Sequence, residues 1–161
     1  MSFPNEPERM MERPRQPALS EMPKTECACE TCTSGCSRTP GWFLPGEAEA
    51  TAKLLGIDLP ELFARFLVAE FWIGEDENIL TLSPRKLGQD GGRKATYGEG
   101  FSRGVCVFFE NGSCRIHAAK PFECSRTTHE MQRNFRNLIA AEWDHDAHQD
   151  QVLRLLRRES E

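Results

Sequence analysis

The chain has 161 residues, of which 39% are hydrophobic, enough for one ordinary domain that needs no disulfides to fold. Its formal net charge of −5 argues against a general nucleic-acid binder, because binding to phosphates depends on a basic surface. The longest apolar stretch, residues 105–109, is far too short to cross a bilayer, so we expect no membrane partner.

The N-terminal part alternates charged residues with proline. Residues 1–26 hold five of the ten prolines, and this composition predicts a disordered tail. The same residues lack the apolar core of a secretory signal peptide, so we expect a reducing, cytoplasmic setting. In that setting, cysteines more often bind metal or perform chemistry than form structural disulfides.

Two helices are predicted next in the chain. Residues 47–55 begin with acidic residues and end at Gly56, which is typical of a short helix. Asp58 can cap a second helix with Pro60 in its first turn. Apolar residues then recur at three- and four-residue spacing, and this predicts an amphipathic core helix over residues 59–71.

Short strands and a glycine-rich loop follow. Residues 78–83 predict a strand, and residues 86–104 a loop that is rich in glycine and carries more cations than acids, so that it could contact an anion. Asn111-Gly112 predicts a hairpin turn between strands at residues 105–109 and 114–116. From His129 onward a helical pattern resumes.

The seven cysteines form two sets. The first cysteine set lies in a ten-residue run without any large apolar residue, and the second lies around the predicted hairpin. The first contains Cys27, Cys29, Cys32 and Cys36, and the second contains Cys106, Cys114 and Cys124.

The C-x-x-C spacing of Cys29 and Cys32 lets two thiolates bind one ion from a tight turn. A redox pair would instead follow a strand and open a helix, and the preceding residues PKTECACE do not predict a strand. A disulfide framework is disfavoured by the odd number of cysteines. We therefore expect the two sets to converge on one metal site.

The motifs CETCTSGC and GVCVFFENGSCRIHAAKPFEC resemble the YkgJ-type cysteine-cluster family, a zinc- or iron-chelating domain. The resemblance covers roughly residues 27–128. It implies that the metal ligands come from both sets, at Cys29, Cys32, Cys36, Cys106, Cys114 and Cys124. Phe108, Ile116 and Pro121 also match the family pattern, and Lys120 replaces its arginine.

The chain departs from that family pattern at its third cysteine. Gly35 stands at that position, and Cys27 is an additional thiol upstream, which either replaces the missing ligand or is spare. His117 is a further candidate ligand or hydrogen-bond donor, as is His129. His145 and His148 lie at i,i+3 among aspartates, where a solvated helix face is the ordinary interpretation.

The identity of the metal stays open at this point. One zinc ion takes four ligands, and six or seven thiols leave room for two zinc ions, zinc with spare thiols, or an iron–sulfur cluster. The predicted function is metal binding, with a protein partner as a further option. The alternative is a metal-dependent redox enzyme with an open coordination position. No nucleophile–base motif or nucleotide fingerprint accompanies the cysteines.

The predicted fold class is α+β, mainly α, with a short β-hairpin and irregular metal-binding loops. Residues 1–26 form the tail, residues 27–128 the cysteine-cluster domain, and residues 129–161 a C-terminal helical segment that packs on it.

Overall fold

A computed structural model describes residues 40–73, 78–96, 98–99, 102–126 and 136–160. In this part of the chain the fold is mixed α+β and mostly helical, which confirms the predicted class. The helices are α1 (Glu47–Leu55), α2 (Leu59–Phe66), α3 (Phe122–Arg126), α4 (Arg136–Trp143) and α5 (Asp146–Ser160), with a 3-10 turn at His117–Ala119. The strands are β1 (Leu67–Ile73), β2 (Asn78–Pro84), β3 (Phe109–Glu110) and β4 (Ser113–Cys114).

The first two helices have the ends that local signals predict. Helix α1 ends at Gly56, which adopts a left-handed φ of 72° and donates its N–H to carbonyls of the last turn. Asp58 caps α2, because its side chain accepts a hydrogen bond from the backbone N–H of Glu61, and Pro60 lies in the first turn.

The prediction that this second helix continues to Phe71 is wrong. Helix α2 ends at Phe66, and β1 follows without a connecting loop. Strand β1 pairs with β2 in antiparallel register, with Leu67 opposite Pro84 and Ile73 opposite Asn78. The sequence LVAEFWI combines β-branched and aromatic residues, which fit a strand buried on both faces, so the long-range pairing overrides the helical spacing.

Residues outside the strands form hydrogen bonds with both edges of the β1–β2 pair. On the β2 side, the Phe43 N–H donates to the Leu82 carbonyl over 2.9 Å. The Gln149 side chain bonds both the N–H and the carbonyl of Leu80. On the β1 side, Ala69 exchanges backbone hydrogen bonds with residues 93–95. Backbone groups at both edges of the sheet are thereby hydrogen-bonded to residues that lie outside its strands.

The predicted hairpin lies at the expected turn but is shorter than predicted. Strands β3 and β4 have two residues each, and Asn111 (φ 51°) and Gly112 (φ 79°) form the turn between them. Positive φ at both central residues is the requirement of a type I′ turn, which Asn-Gly satisfies. Residues 105–108 and 115–116, predicted as strand, lie outside the two strands.

The core is formed by aromatic side chains from distant parts of the chain. Trp42, Phe43, Phe63, Phe108 and Trp143 are all at most 2% exposed and belong to one hydrophobic cluster. Helices α4 and α5 both contact β2. Among the described residues, no helix is long and apolar enough to span a membrane.

Candidate metal centre

Three of the predicted ligands fall within the described residues. Cys106, Cys114 and Cys124 are present there as free thiols, without a disulfide. The first cysteine set and His129 lie outside the described residues. The geometry of the second cysteine set therefore carries the structural case for the site.

Cys106 lies between β2 and the hairpin, opposite Lys86 in an isolated antiparallel bridge. The Leu87 N–H donates to the Val105 carbonyl over 2.8 Å, and the Val107 N–H to the Arg85 carbonyl over 2.9 Å. Cys106 begins the turn that leads into β3. Within this turn the Phe109 N–H donates to the Cys106 carbonyl over 3.0 Å. The backbone N–H groups of Phe108 and Phe109 also lie near the Cys106 sulfur and act to lower the pKa of its thiol.

Burial raises the pKa of the Cys106 thiol to about 12, against the lowering effect of those two N–H donors. The metal-free thiol is therefore protonated at neutral pH. Paired N–H donors directed at a sulfur stabilise its thiolate, the form that ligates metal.

Cys114 lies at the end of β4, and its partner across the hairpin is Phe109. Cys106 and Cys114 do not lie opposite each other in the hairpin. The strands are shorter than predicted, so Cys106 lies in the turn before β3. Cys114 is half-buried, whereas Cys106 is buried.

Cys124 lies within the short helix α3 and contacts Gly41. The backbone N–H of Gly41 lies near the Cys124 sulfur and acts to lower the pKa of its thiol. A Cβ at position 41 would lie 2.6 Å from that sulfur and 2.8 Å from the backbone nitrogen of Cys124, so a side chain there requires a rearrangement. Burial raises the pKa of Cys124 far above its usual range.

The three thiols lie within electrostatic range of one another. Repulsion from Cys114 adds to the raised pKa of Cys106, and repulsion from both Cys106 and Cys114 adds to that of Cys124. Within the described ranges, no group of three or more His, Cys, Asp or Glu side chains is close enough to hold a metal ion. The second cysteine set is thus gathered in one region but is not a complete site.

The chain reaches this region through a buried segment, residues 40–44, that we call the entry segment. All five of its residues are buried although it belongs to no helix or strand. Side chains satisfy several of its backbone groups. The Glu123 carboxylate accepts from the Trp42 N–H over 3.1 Å, and the Glu47 carboxylate accepts from the Leu44 N–H over 2.6 Å.

Two indole groups add to these contacts. Trp42 Nε1 donates to the buried Glu70 carboxylate over 2.6 Å. Trp143 Nε1 donates to the Phe43 carbonyl over 2.7 Å. Glu123 also accepts from Arg136 Nε at 3.0 Å, so one carboxylate joins the entry segment, α3 and α4. The position of Gly41 beside Cys124 is consequently fixed from several sides.

The histidines are placed differently from the thiols. His117 lies in the 3-10 turn, with Nδ1 3.4 Å from the buried Lys120 ammonium. His145 precedes α5, where its Nδ1 accepts from the Ala147 N–H, and its ring lies 5.3 Å from that of His148. None of the three belongs to a metal-binding group of described residues.

Sequence reasoning missed Gly41 and Glu123. A glycine between Pro40 and Trp42 reads as an ordinary turn residue, and Glu123 as a helix-surface acid. Their roles depend on contacts between residues about 80 positions apart, such as Trp42 with Glu123. The proximity of Glu123 to Cys124 in the sequence is the one local signal for it.

Comparisons with known proteins add no relative. No protein-family model matches the chain, and neither curated proteins nor solved structures give a match. The resemblance of its cysteine motifs to the YkgJ-type family stays a prediction.

Proposed function

We propose that this chain is a metal-binding protein whose site takes thiolates from both cysteine sets and holds an iron–sulfur cluster or zinc. The supporting observation is the contact between Gly41 and the Cys124 sulfur. It joins the segment that follows the first cysteine set to the region where Cys106, Cys114 and Cys124 are gathered.

The short stretch of chain between Cys36 and Gly41 limits how far apart the two cysteine sets can lie. Cys36 precedes Gly41 by five residues, and a five-residue chain spans at most about 18 Å. Gly41 is itself in contact with Cys124, so chain length keeps Cys36 within about 18 Å of Gly41, beside the second cysteine set. Such a tether keeps the effective concentration of the first set high at this place.

The donor set fits a metal that prefers sulfur. Four thiolates satisfy tetrahedral zinc, and four also hold an iron–sulfur cluster. Backbone N–H groups near the sulfurs of Cys106 and Cys124 favour their thiolate forms, as is common for ligating sulfurs. Burial raises the pKa values of Cys106 and Cys124, and a bound metal ion would offset the cost of burying their thiolates and release the protons.

The metal in this proposal also has a structural role. Residues 27–36 contain no large apolar residue and cannot be held by hydrophobic packing. A cluster or zinc ion that joins them to Cys106 and Cys114 closes a long loop, and the entropic cost of closure rises only slowly with loop length. The metal therefore fixes a segment that has no core of its own.

The experiment is purification under anaerobic conditions, followed by an absorption spectrum and metal analysis. A brown protein with iron and sulfide identifies a cluster, and a colourless protein with stoichiometric zinc identifies zinc. Cys114→Ser is expected to lower the metal content. The control Ser113→Ala changes an exposed neighbouring residue and should retain the metal. Protein that binds neither iron nor zinc after anaerobic reconstitution contradicts the proposal.

A further inference from the structure

The loop between β2 and the hairpin contains a small polar cavity of about 250 Å3. Its walls include three cationic side chains, Lys86, Arg93 and Arg103, and two acidic ones, Asp90 and Glu99. The volume is below the roughly 300–1,000 Å3 of sites for drug-sized ligands, so it suits a small molecule.

One of the cations in the cavity is already neutralised. Arg93 forms a bidentate pair with Glu99, with Nη2 2.6 Å from Oε2 and Nη1 2.9 Å from Oε1. Hydrogen bonding from Arg93 holds the pKa of Glu99 well below its usual range, and the Thr96 N–H adds to this effect. The Glu99 carboxylate is therefore paired with Arg93, and it forms no ion pair with Lys86 or Arg103.

Lys86 carries a buried charge that has no counterion among the residues the structure describes. Its residue is only 6% exposed. Its ammonium donates to the Glu99 carbonyl, to the Ser102 carbonyl over 2.7 Å and to the Ser102 hydroxyl over 3.4 Å. These acceptors engage its three protons but supply no negative charge. In the described part of the chain, no carboxylate lies within ion-pair distance of Lys86.

The backbone of the loop fixes the position of the Lys86 side chain. The Lys86 stem passes directly over Gly104, where a Cβ would lie 2.8 Å from its Cδ. Buried charges in proteins are ordinarily paired, because burying an unpaired charge is costly. Arg103, exposed beside the same cavity, also has no carboxylate partner among the described residues.

We propose that this cavity binds a small oxyanion, the phosphate or carboxylate group of a small molecule. The three protons of the Lys86 ammonium already donate to oxygens of Glu99 and Ser102. Lys86 therefore attracts the anion through its positive charge. Arg103 supplies the planar N–H donors that match a phosphate or carboxylate in two hydrogen bonds.

The cavity adjoins the thiol region. Lys86 and Cys106 form a bridge of the non-hydrogen-bonded kind, in which Cα atoms are about 4.5 Å apart and side chains leave on one face. An anion beside Lys86 is thus a near neighbour of the Cys106 region. The oxyanion site itself rests on Lys86 and Arg103 and does not depend on bound metal.

The test is a titration of the full chain with sodium phosphate and, separately, sodium succinate, each against sodium chloride at equal ionic strength. A ligand that binds the folded state raises the thermal midpoint. We expect phosphate, succinate or both to raise it beyond chloride, and the anion that does so identifies the group bound. Metal content measured on the same samples separates this result from the fate of the metal proposal.

Two variants and a control test whether the oxyanion effect arises at this cavity. Arg103→Gln changes an exposed side chain and should weaken the oxyanion effect by about tenfold or more, as expected for loss of a charge-assisted bidentate contact. Lys86→Met keeps the aliphatic stem and should abolish the effect. Lys94→Gln, an exposed cation of the same loop outside the cavity, should retain it. Equal affinity in Arg103→Gln and the unaltered chain, or no oxyanion effect beyond chloride, overturns the proposal.

Discussion

Gly41 and Cys124 are in direct contact: a Cβ at position 41 would lie 2.6 Å from the Cys124 sulfur, and the backbone N–H of Gly41 acts to lower the pKa of the Cys124 thiol. This contact makes position 41 a sensitive one. It also links the entry segment to the helix that carries a candidate ligand.

Gly41→Ala is expected to destabilise the protein by about 1–3 kcal/mol, the usual cost of overpacking a tight interior, and to lower its metal content. Both effects arise because the new methyl group displaces the Cys124 sulfur. Urea denaturation and metal analysis measure them. Gly98→Ala is the matched control, since a Cβ there meets nothing within 4 Å. Similar stability losses in the two variants would show that the contact has no special importance.

Serine in place of a ligating cysteine should lower metal affinity by more than the roughly 10–100-fold that follows loss of a ligand's outer hydrogen-bond partner. Cys32→Ser and Cys114→Ser test one ligand from each set, and thermal stability should fall together with metal content because binding and folding are coupled.

Cys27→Ser separates two interpretations of the additional thiol. Metal loss equal to that of Cys32→Ser indicates that Cys27 replaces the cysteine for which Gly35 stands. Retained metal indicates a spare thiol. If Cys32→Ser and Cys114→Ser both keep full metal content, the shared site is refuted.

The pH dependence follows from the thiols. The pKa of Cys106 in the folded, metal-free chain is about 12, above the ordinary cysteine value of about 8.5 expected on unfolding. The folded state therefore holds more protons between these values, and its stability falls as the pH rises above about 8.5. Metal-loaded protein should lack this slope, since its thiolates are already deprotonated.

Urea denaturation of the metal-free chain at several pH values from about 7 to 10 measures this slope. Cys106→Ala should make it shallower, because the titrating group is removed. A slope that Cys106→Ala leaves unaltered would assign the effect to other groups.

Metal removal is expected to release residues 27–36 before the core. That run has no large apolar residue, whereas α2 is held by Leu62 and Phe63, which are at most 1% exposed. Hydrogen exchange of metal-free and metal-loaded protein compares the two regions directly. Exchange should accelerate in residues 27–36 and stay slow in α2. Equal protection of the cysteine run with and without metal would rule out the proposed structural role.

Much of the local structure could be predicted because each signal acts within a few residues. Gly56 ends α1 through its own left-handed φ, Asp58 caps α2 through a bond to Glu61, and Asn111-Gly112 alone sets the hairpin turn. The sequence also indicated a mostly helical α+β fold and the division of the cysteines into two sets.

Tertiary structure decided the features that depend on partners distant in the sequence. Residues 67–71 fit a helical spacing, yet each of these five residues pairs with a residue of β2, and this pairing makes them a strand. Gly41 acquires its role only through Cys124. Within the described ranges, Lys86 lacks a counterion because the loop places carbonyl groups, rather than a carboxylate, at its ammonium. Such contacts join residues that are far apart in the sequence. They could not be predicted because the local sequence around one residue carries no information about its distant partner.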